Sequence, residues 1–186
     1  MGLRKEAVQV YRWLRRFGYN DSHSGNLSVR KGAKFWVTPT GACADTLKKS
    51  DLVKCRVEGD LPTGASLDAA LHQAVYRADA DADIGAVIHS HCPHVVAMTF
   101  NGVDYVPPDF EGQYYLPAVP VLTIDYADYV AEAPMRVAEA LAGSRVVVVR
   151  GHGVYARGAD LNEAYKWTCS VELSAQTAWL ALWAGT

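Results

Sequence analysis

No run of apolar residues in this chain of 186 approaches the roughly 20 needed to cross a bilayer, and the opening MGLRKEAVQVYRW is too charged for a signal peptide. Both absences point to a soluble, cytoplasmic protein with no membrane partner. Basic residues are scattered and the formal net charge is −2, so there is no positive stripe to track a phosphate backbone, and nucleic acid is not an expected partner. Cys43, Cys55, Cys92 and Cys169 lie far apart without a C-x-x-C pair, which fits reduced thiols better than a disulfide framework or a cysteine zinc site. Internal repeats and low-complexity linkers are also missing. With half its residues hydrophobic, the chain suits a single domain over 1–186.

What is present is an alternation of helices and strands. Leu3, Ala7, Val10, Tyr11, Leu14 and Phe17 recur at three- and four-residue steps before Gly18, which predicts an amphipathic helix over 3–17. NLSVR and KFWVTP around KGA predict a hairpin, and DLVKCRV a further strand. A second helix is predicted from about Ser66, as N-cap, to Tyr76, with Leu67, Ala70, Leu71, Ala74 and Val75 on its packed side. The strand GAVIHSH follows, and Pro93 opens a helix at the position where its missing N–H costs nothing. RVVVVR and VYARG predict strands around a GHG turn, and 160–183 a long final helix; 103–129 is rich in Pro, Tyr and Asp and resists reading. Strands in the middle with helices around them suggest one sheet covered on both faces.

Three of the six histidines fall in AVIHSHCPHVV, residues 86–96. Side chains at i and i+2 of a strand share a face, so His89 and His91 can present two imidazoles to one ion. His152, between Gly151 and Gly153, is a third candidate at a strand end where the backbone can turn sharply. Three neutral imidazoles with an open position suit a catalytic Zn²⁺. A lone buried histidine, by contrast, is ordinarily a hydrogen-bonded core residue. His94, in the next helix, reads as a supporting or structural residue, and Cys92 as a small buried thiol. Asp68 in a first helical turn is ordinary alone, or it meets the metal and serves as base. SGNLS and TPTGA place small donors beside glycine, a composition that suits either a phosphate cradle or an ordinary turn.

In order and spacing, GNLSVR, VTPTG, SLDAALH, VIHSH and RGHGVYARG resemble the class II aldolase/adducin family from roughly residue 5 to 180. The resemblance implies an α/β fold of three layers, α/β/α, around a mixed and mostly antiparallel sheet, a cyclic homotetramer, and a divalent metal, usually zinc. By position, His89, His91 and His152 match the metal ligands, and Asn26, Thr40, Gly41 and Ser66 match the residues that take the substrate phosphate. Asp68 stands where the family's enzymes usually carry glutamate, and Leu67 where a second phosphate-site serine is expected. A tyrosine from a neighbouring subunit acts in the aldolases; within PPDFEGQYYLPAVP the candidates are Tyr114 and Tyr115, with Asp109 or Glu111 as acids.

The implied activity is cleavage of a ketose 1-phosphate such as L-fuculose 1-phosphate to glycerone phosphate and a hydroxyaldehyde through a metal-stabilised enediolate, with Asp68 moving the proton. Relatives of the same kind instead dehydrate methylthioribulose phosphate, decarboxylate a sugar acid or epimerise a pentulose phosphate. An adducin-like interaction module shares the fold without catalysis, but has no need to keep three histidines. The last helix, with Trp167, Trp179, Leu180, Leu182 and Trp183, carries more apolar surface than a solvent-facing terminus tolerates, consistent with assembly near subunit interfaces.

Overall fold

The computed structural model describes residues 2–79 and 83–185. Its elements run α1 (Leu3–Arg16), β1 (Asn26–Lys31), β2 (Lys34–Val37), β3 (Val53–Arg56), α2 (Ala69–Ala78), β4 (Ala86–Ser90), α3 (Pro93–Met98), α4 (Phe110–Tyr115), β5 (Val121–Leu122), α5 (Tyr129–Gly143), β6 (Val146–Val149), β7 (Gly153–Gly158) and α6 (Leu161–Ala184). Among the described residues the strands form one seven-stranded sheet of order β3-β2-β1-β4-β7-β6-β5. Every pairing is antiparallel except β5 with β6. The fold is therefore the mixed, mostly antiparallel α/β/α arrangement anticipated above.

Strand alternation decides which helices each face meets. Val87, Val147, Val149 and Tyr155 pack toward α2 and α5 with Leu71, Val75, Val137 and Leu141. On the other face, Leu27, Val29, Ala86 and Ile88 bury against α1, and Val146, Val148, Val154 and Ala156 against α6. Burial on both faces explains why the central strands read as unbroken apolar runs. The long helix α6 starts with a reciprocal cap: Asp160 accepts from the Glu163 amide at 2.8 Å while Glu163 reaches back to the Ala159 amide at 2.7 Å.

Two predicted boundaries are corrected. The second helix begins at Ala69 rather than Ser66 and runs on to Ala78, because the Ser66 amide donates to the Thr38 carbonyl at 3.1 Å and holds 66–68 as a loop. Leu67 is consequently 68% exposed and Ala70 also faces outward, so neither belongs to the packed side. Helix α5 was hidden by Pro134, which lies inside it and reads as a breaker, although Ala133, Val137, Ala138 and Leu141 form a regular buried stripe. Helix α4, strand β5 and a bridge between Tyr105 and Val119 give shape to the unreadable stretch.

His94 has the structural role anticipated for it. Glu172 of α6, only 3% exposed, accepts from His94 Nδ1 at 2.7 Å and from the amides of His94 and Val95 at 3.2 and 3.1 Å. It supplies the acceptors that the first turn of α3 lacks. Trp167 is buried within the chain, whereas Leu173, Leu180, Leu182 and Trp183 lie exposed along α6. Among the described residues no helix is long and apolar enough to cross a membrane.

Candidate metal centre

Cross-strand register builds the floor of the site. Asn26 of β1 pairs with His89 of β4, and His89 pairs with Tyr155 of β7, so the three side chains stand in a row on the face that meets α2 and α5. His91 follows the end of β4. There its backbone amide donates to Asn20 Oδ1 at 2.9 Å, an approach that Gly25 permits, since a Cβ on it would strike the Asn20 side chain. His152 sits in the turn between β6 and β7, after Gly151 with φ +69°. Gly153 is required next to it: a Cβ there would lie 2.9 Å from His89 Cε1 and 3.1 Å from His91 Cδ2.

These constraints bring the three predicted imidazoles together. His89 Nε2 lies 3.0 Å from His91 Nε2 and 3.2 Å from His152 Nε2, and one ring nitrogen from each residue falls within 4.8 Å of the others. Tetrahedral zinc with nitrogens at 2.0–2.1 Å sets its ligands about 3.3–3.4 Å apart, so the cluster needs only small adjustment to hold such an ion. His89 Nδ1 donates to the Val154 carbonyl at 3.1 Å, which leaves Nε2 as the lone-pair nitrogen facing its two neighbours. Burial pushes the His89 pKa down to about 3 and also lowers His91 and His152, so the rings are neutral at pH 7 and need shed no proton to ligate. The donor set fits a divalent metal.

Asp68 completes the arrangement, though not from a helical first turn. It is the residue before α2 and its carboxylate does not cap the helix. Oδ1 accepts from the Tyr129 hydroxyl at 2.7 Å, and Oδ2 accepts from Asn26 Nδ2 at 2.8 Å and from the Tyr155 hydroxyl at 3.2 Å. Oδ2 also lies 3.9 Å from His89 Nε2. Burial alone would raise the Asp68 pKa, but His89, Asn26, Tyr129 and His72 together hold it down at about 2. The hydrogen bonds that Asn26 and Tyr129 donate both favour the ionised form of this carboxylate.

Behind Asp68 a buried chain of hydrogen bonds has a single sense. Asn26 donates Nδ2 to Asp68, so its Oδ1 faces His72 Nε2 at 2.6 Å and must accept from it. His72 Nδ1 then accepts from Ser28 at 2.7 Å, and the Ser28 oxygen accepts from the Tyr76 hydroxyl at 2.7 Å. Each donor points toward the carboxylate and polarises the next.

Asn26, Thr40, Gly41, Ser66, Asp68, His89, His91 and His152 all line one cavity of about 200 Å³. Within it, the Thr40 hydroxyl donates to the Ala65 carbonyl at 2.7 Å, and Ser66 Oγ accepts from the Asp68 amide at 3.3 Å. Asp109 is the N-cap of α4, and no residue of 109–115 lines this chain's cavity. Sequence reasoning missed Tyr129 and Tyr155. Tyr155 could have been found by carrying the strand alternation of VYARG across to His89; Tyr129 gave no signal, because Pro134 masks the helix that it opens.

Residues 5–179 match the family model described as the class II aldolase and adducin N-terminal domain. The chain is 30% identical over 167 residues to the L-fuculose phosphate aldolase of Methanocaldococcus jannaschii, covering 87% of each. It is 28% identical over 186 residues to the 5-methylthioribulose-1-phosphate/5-deoxyribulose-1-phosphate aldolase of Rhodospirillum rubrum, covering 98% of this chain and 82% of that one. The crystal structure of L-fuculose-1-phosphate aldolase from Thermus thermophilus superposes with a TM-score of 0.90 at 36% identity, over 99% of this chain and 96% of that one.

Proposed function

Because this chain belongs to the class II aldolase and adducin family and is a lyase of that family, we propose that it is a zinc-dependent aldolase. It cleaves a ketose 1-phosphate of the L-fuculose 1-phosphate type to glycerone phosphate and a hydroxyaldehyde. The observation that carries this reading is the convergence of three neutral imidazole nitrogens beside a buried, ionised carboxylate. An adducin-like module has no use for that pairing. The aldolase names of the Methanocaldococcus and Thermus relatives support the substrate type.

In this mechanism His89, His91 and His152 hold the ion, which supplies Lewis-acid stabilisation of the negative charge that carbon–carbon cleavage leaves on the ketone side. Asn26, Thr40, Gly41 and Ser66 take the phosphate. Among the described residues the amides of Gly41 and Leu67 have no acceptor within the chain, so a phosphate oxygen finds donors there even with Leu67 in place of a serine. Asp68, already ionised, takes the proton from the hydroxymethyl carbon of glycerone phosphate in the synthetic direction and returns it to that carbon during cleavage.

The test is an assay of zinc-loaded protein against L-fuculose 1-phosphate, 5-deoxyribulose 1-phosphate, 5-methylthioribulose 1-phosphate and a set of sugar acids. Glycerone phosphate is followed by a coupled reduction. Release of glycerone phosphate from at least one ketose phosphate is expected. Dehydration, epimerisation or decarboxylation without it would assign a different reaction to the same residues.

The reading extends to assembly and location: a single domain, cytoplasmic, in a homotetramer with active sites near subunit interfaces. Support comes from Phe110, Tyr114, Leu180, Leu182 and Trp183, all more than half exposed. Light scattering at micromolar concentration is expected to give a tetramer, and a clean monomer would remove the basis for a shared site.

A further inference from the structure

We propose that Tyr129 and Tyr155 are positioning residues that set how far the Asp68 carboxylate reaches toward the imidazole cluster; the proposal rests on the aldolase reading for its kinetic consequences but not for its geometry. Each tyrosine touches the carboxylate with its hydroxyl and a different histidine with its ring. Tyr155 stacks on His89, with ring centroids 4.2 Å apart and planes within 7°, while its hydroxyl donates to Asp68 Oδ2. Tyr129 meets His152 edge-on at 4.7 Å while its hydroxyl donates to Asp68 Oδ1. The two hydroxyl oxygens also touch each other, and because they carry only two hydrogens between them, the Tyr155 hydrogen serves either Asp68 Oδ2 or the Tyr129 oxygen; the contacts form a ring drawn from the loop before α2, the start of α5 and strand β7.

This geometry does what a short acid needs. An aspartate side chain has little reach of its own, and a carboxylate offers about four acceptor sites. Asn26 and Tyr129 occupy two of them and Tyr155 lies against Oδ2 at 3.2 Å, leaving the side toward His89 Nε2, 3.9 Å away. The acid is thereby indexed to the same rings that make up the cluster. A longer acid at position 68 would drive its carboxylate into the tyrosine hydroxyls, so the clamp also selects the length of the residue it holds.

The experiment uses the full-length protein carrying Tyr129→Phe, Tyr155→Phe, Asp68→Glu, and Asp68→Glu combined with each phenylalanine. Phenylalanine keeps the ring contacts and removes only the hydroxyl. Each single Tyr→Phe variant is expected to keep its metal content and a KM within about twofold, while kcat falls about 10–100-fold. Asp68→Glu is expected to lose more than either, and at least tenfold of that loss is expected to return in the Asp68→Glu/Tyr129→Phe protein, because the hydroxyl that collides with the longer acid is gone. Strictly multiplicative losses, or losses in metal content or KM with kcat unchanged, would overturn the clamp. A second readout is independent of turnover: melting temperatures of the metal-free wild type, Tyr129→Phe, Asp68→Asn and the double variant form a cycle that is expected to be non-additive. If no ketose phosphate is cleaved, the aldolase reading fails by itself and this cycle still decides the clamp, additivity overturning it.

Discussion

Replacing His89, His91 or His152 with alanine is expected to strip the bound ion and to lower turnover by about three orders of magnitude or more. The magnitude follows from the several kcal/mol that a Lewis acid contributes to stabilising developing charge, at about 1.36 kcal/mol per decade of rate. His89 should be the most severe. It is 1% exposed, lies within 3.2 Å of both other ring nitrogens, and has its tautomer fixed by the Val154 carbonyl. His91 and His152 sit at the ends of strands, where a water can fill a vacated position. The fold should survive the changes at His91 and His152, which are only partly buried, whereas His89→Ala empties a fully buried position stacked on Tyr155 and is expected to lower the melting temperature as well, so circular dichroism accompanies the metal analysis. Metal analysis of the purified proteins is expected to give about one ion per subunit in the wild type and a small fraction of that in the variants. A chelator should empty the wild-type site more readily than a closed four-ligand structural site. Full metal retention in all three alanine variants would end the assignment of these ligands.

The parts of this centre that sequence could reveal are those fixed by local geometry. His89 and His91 are two residues apart at the end of an apolar strand, and that period alone places both rings on one side. His152 is flanked by glycines, and Gly153 proves to be the position where any Cβ would press on both other histidines. Asn26, Thr40, Gly41 and Ser66 came from short loops whose composition suits a turn as well as an anion cradle, and resemblance rather than physics singled them out. The remainder depends on register between distant strands and on where helices begin. Ser66 looks like an N-cap, but its hydroxyl and amide are used to hold a loop, which moves the helix start to Ala69 and frees Asp68 to turn into the cavity. Tyr129 and Tyr155 are 61 and 87 residues from Asp68 along the chain, and no local pattern ties them to it.

Asp68→Asn is the second change with a large expected effect, because it alters the proton chemistry and little else. Asparagine keeps the size of aspartate and one acceptor oxygen, which can remain on Asn26 Nδ2 at the position now occupied by Oδ2. Its new amide group takes the place of Oδ1 and faces Tyr129, whose hydroxyl can turn its hydrogen toward Tyr155 and accept, while Tyr155 keeps the oxygen at the Oδ2 position as its acceptor. The variant is therefore expected to fold and to keep its metal and its KM, while kcat falls by about 10²–10⁴-fold with the loss of a general base. The half-reaction gives a sharper measurement. In deuterated water the wild type should exchange a proton at the hydroxymethyl carbon of glycerone phosphate, visible by NMR without any aldehyde present, and the Asn variant should lose this exchange in the same proportion as kcat. If cleavage collapses while exchange continues at the wild-type rate, Asp68 serves the aldehyde oxygen instead of the carbon. If both persist near normal, the proton is handled elsewhere, and Glu111 or a tyrosine of the 105–115 segment supplied by a neighbouring subunit becomes the residue to change next.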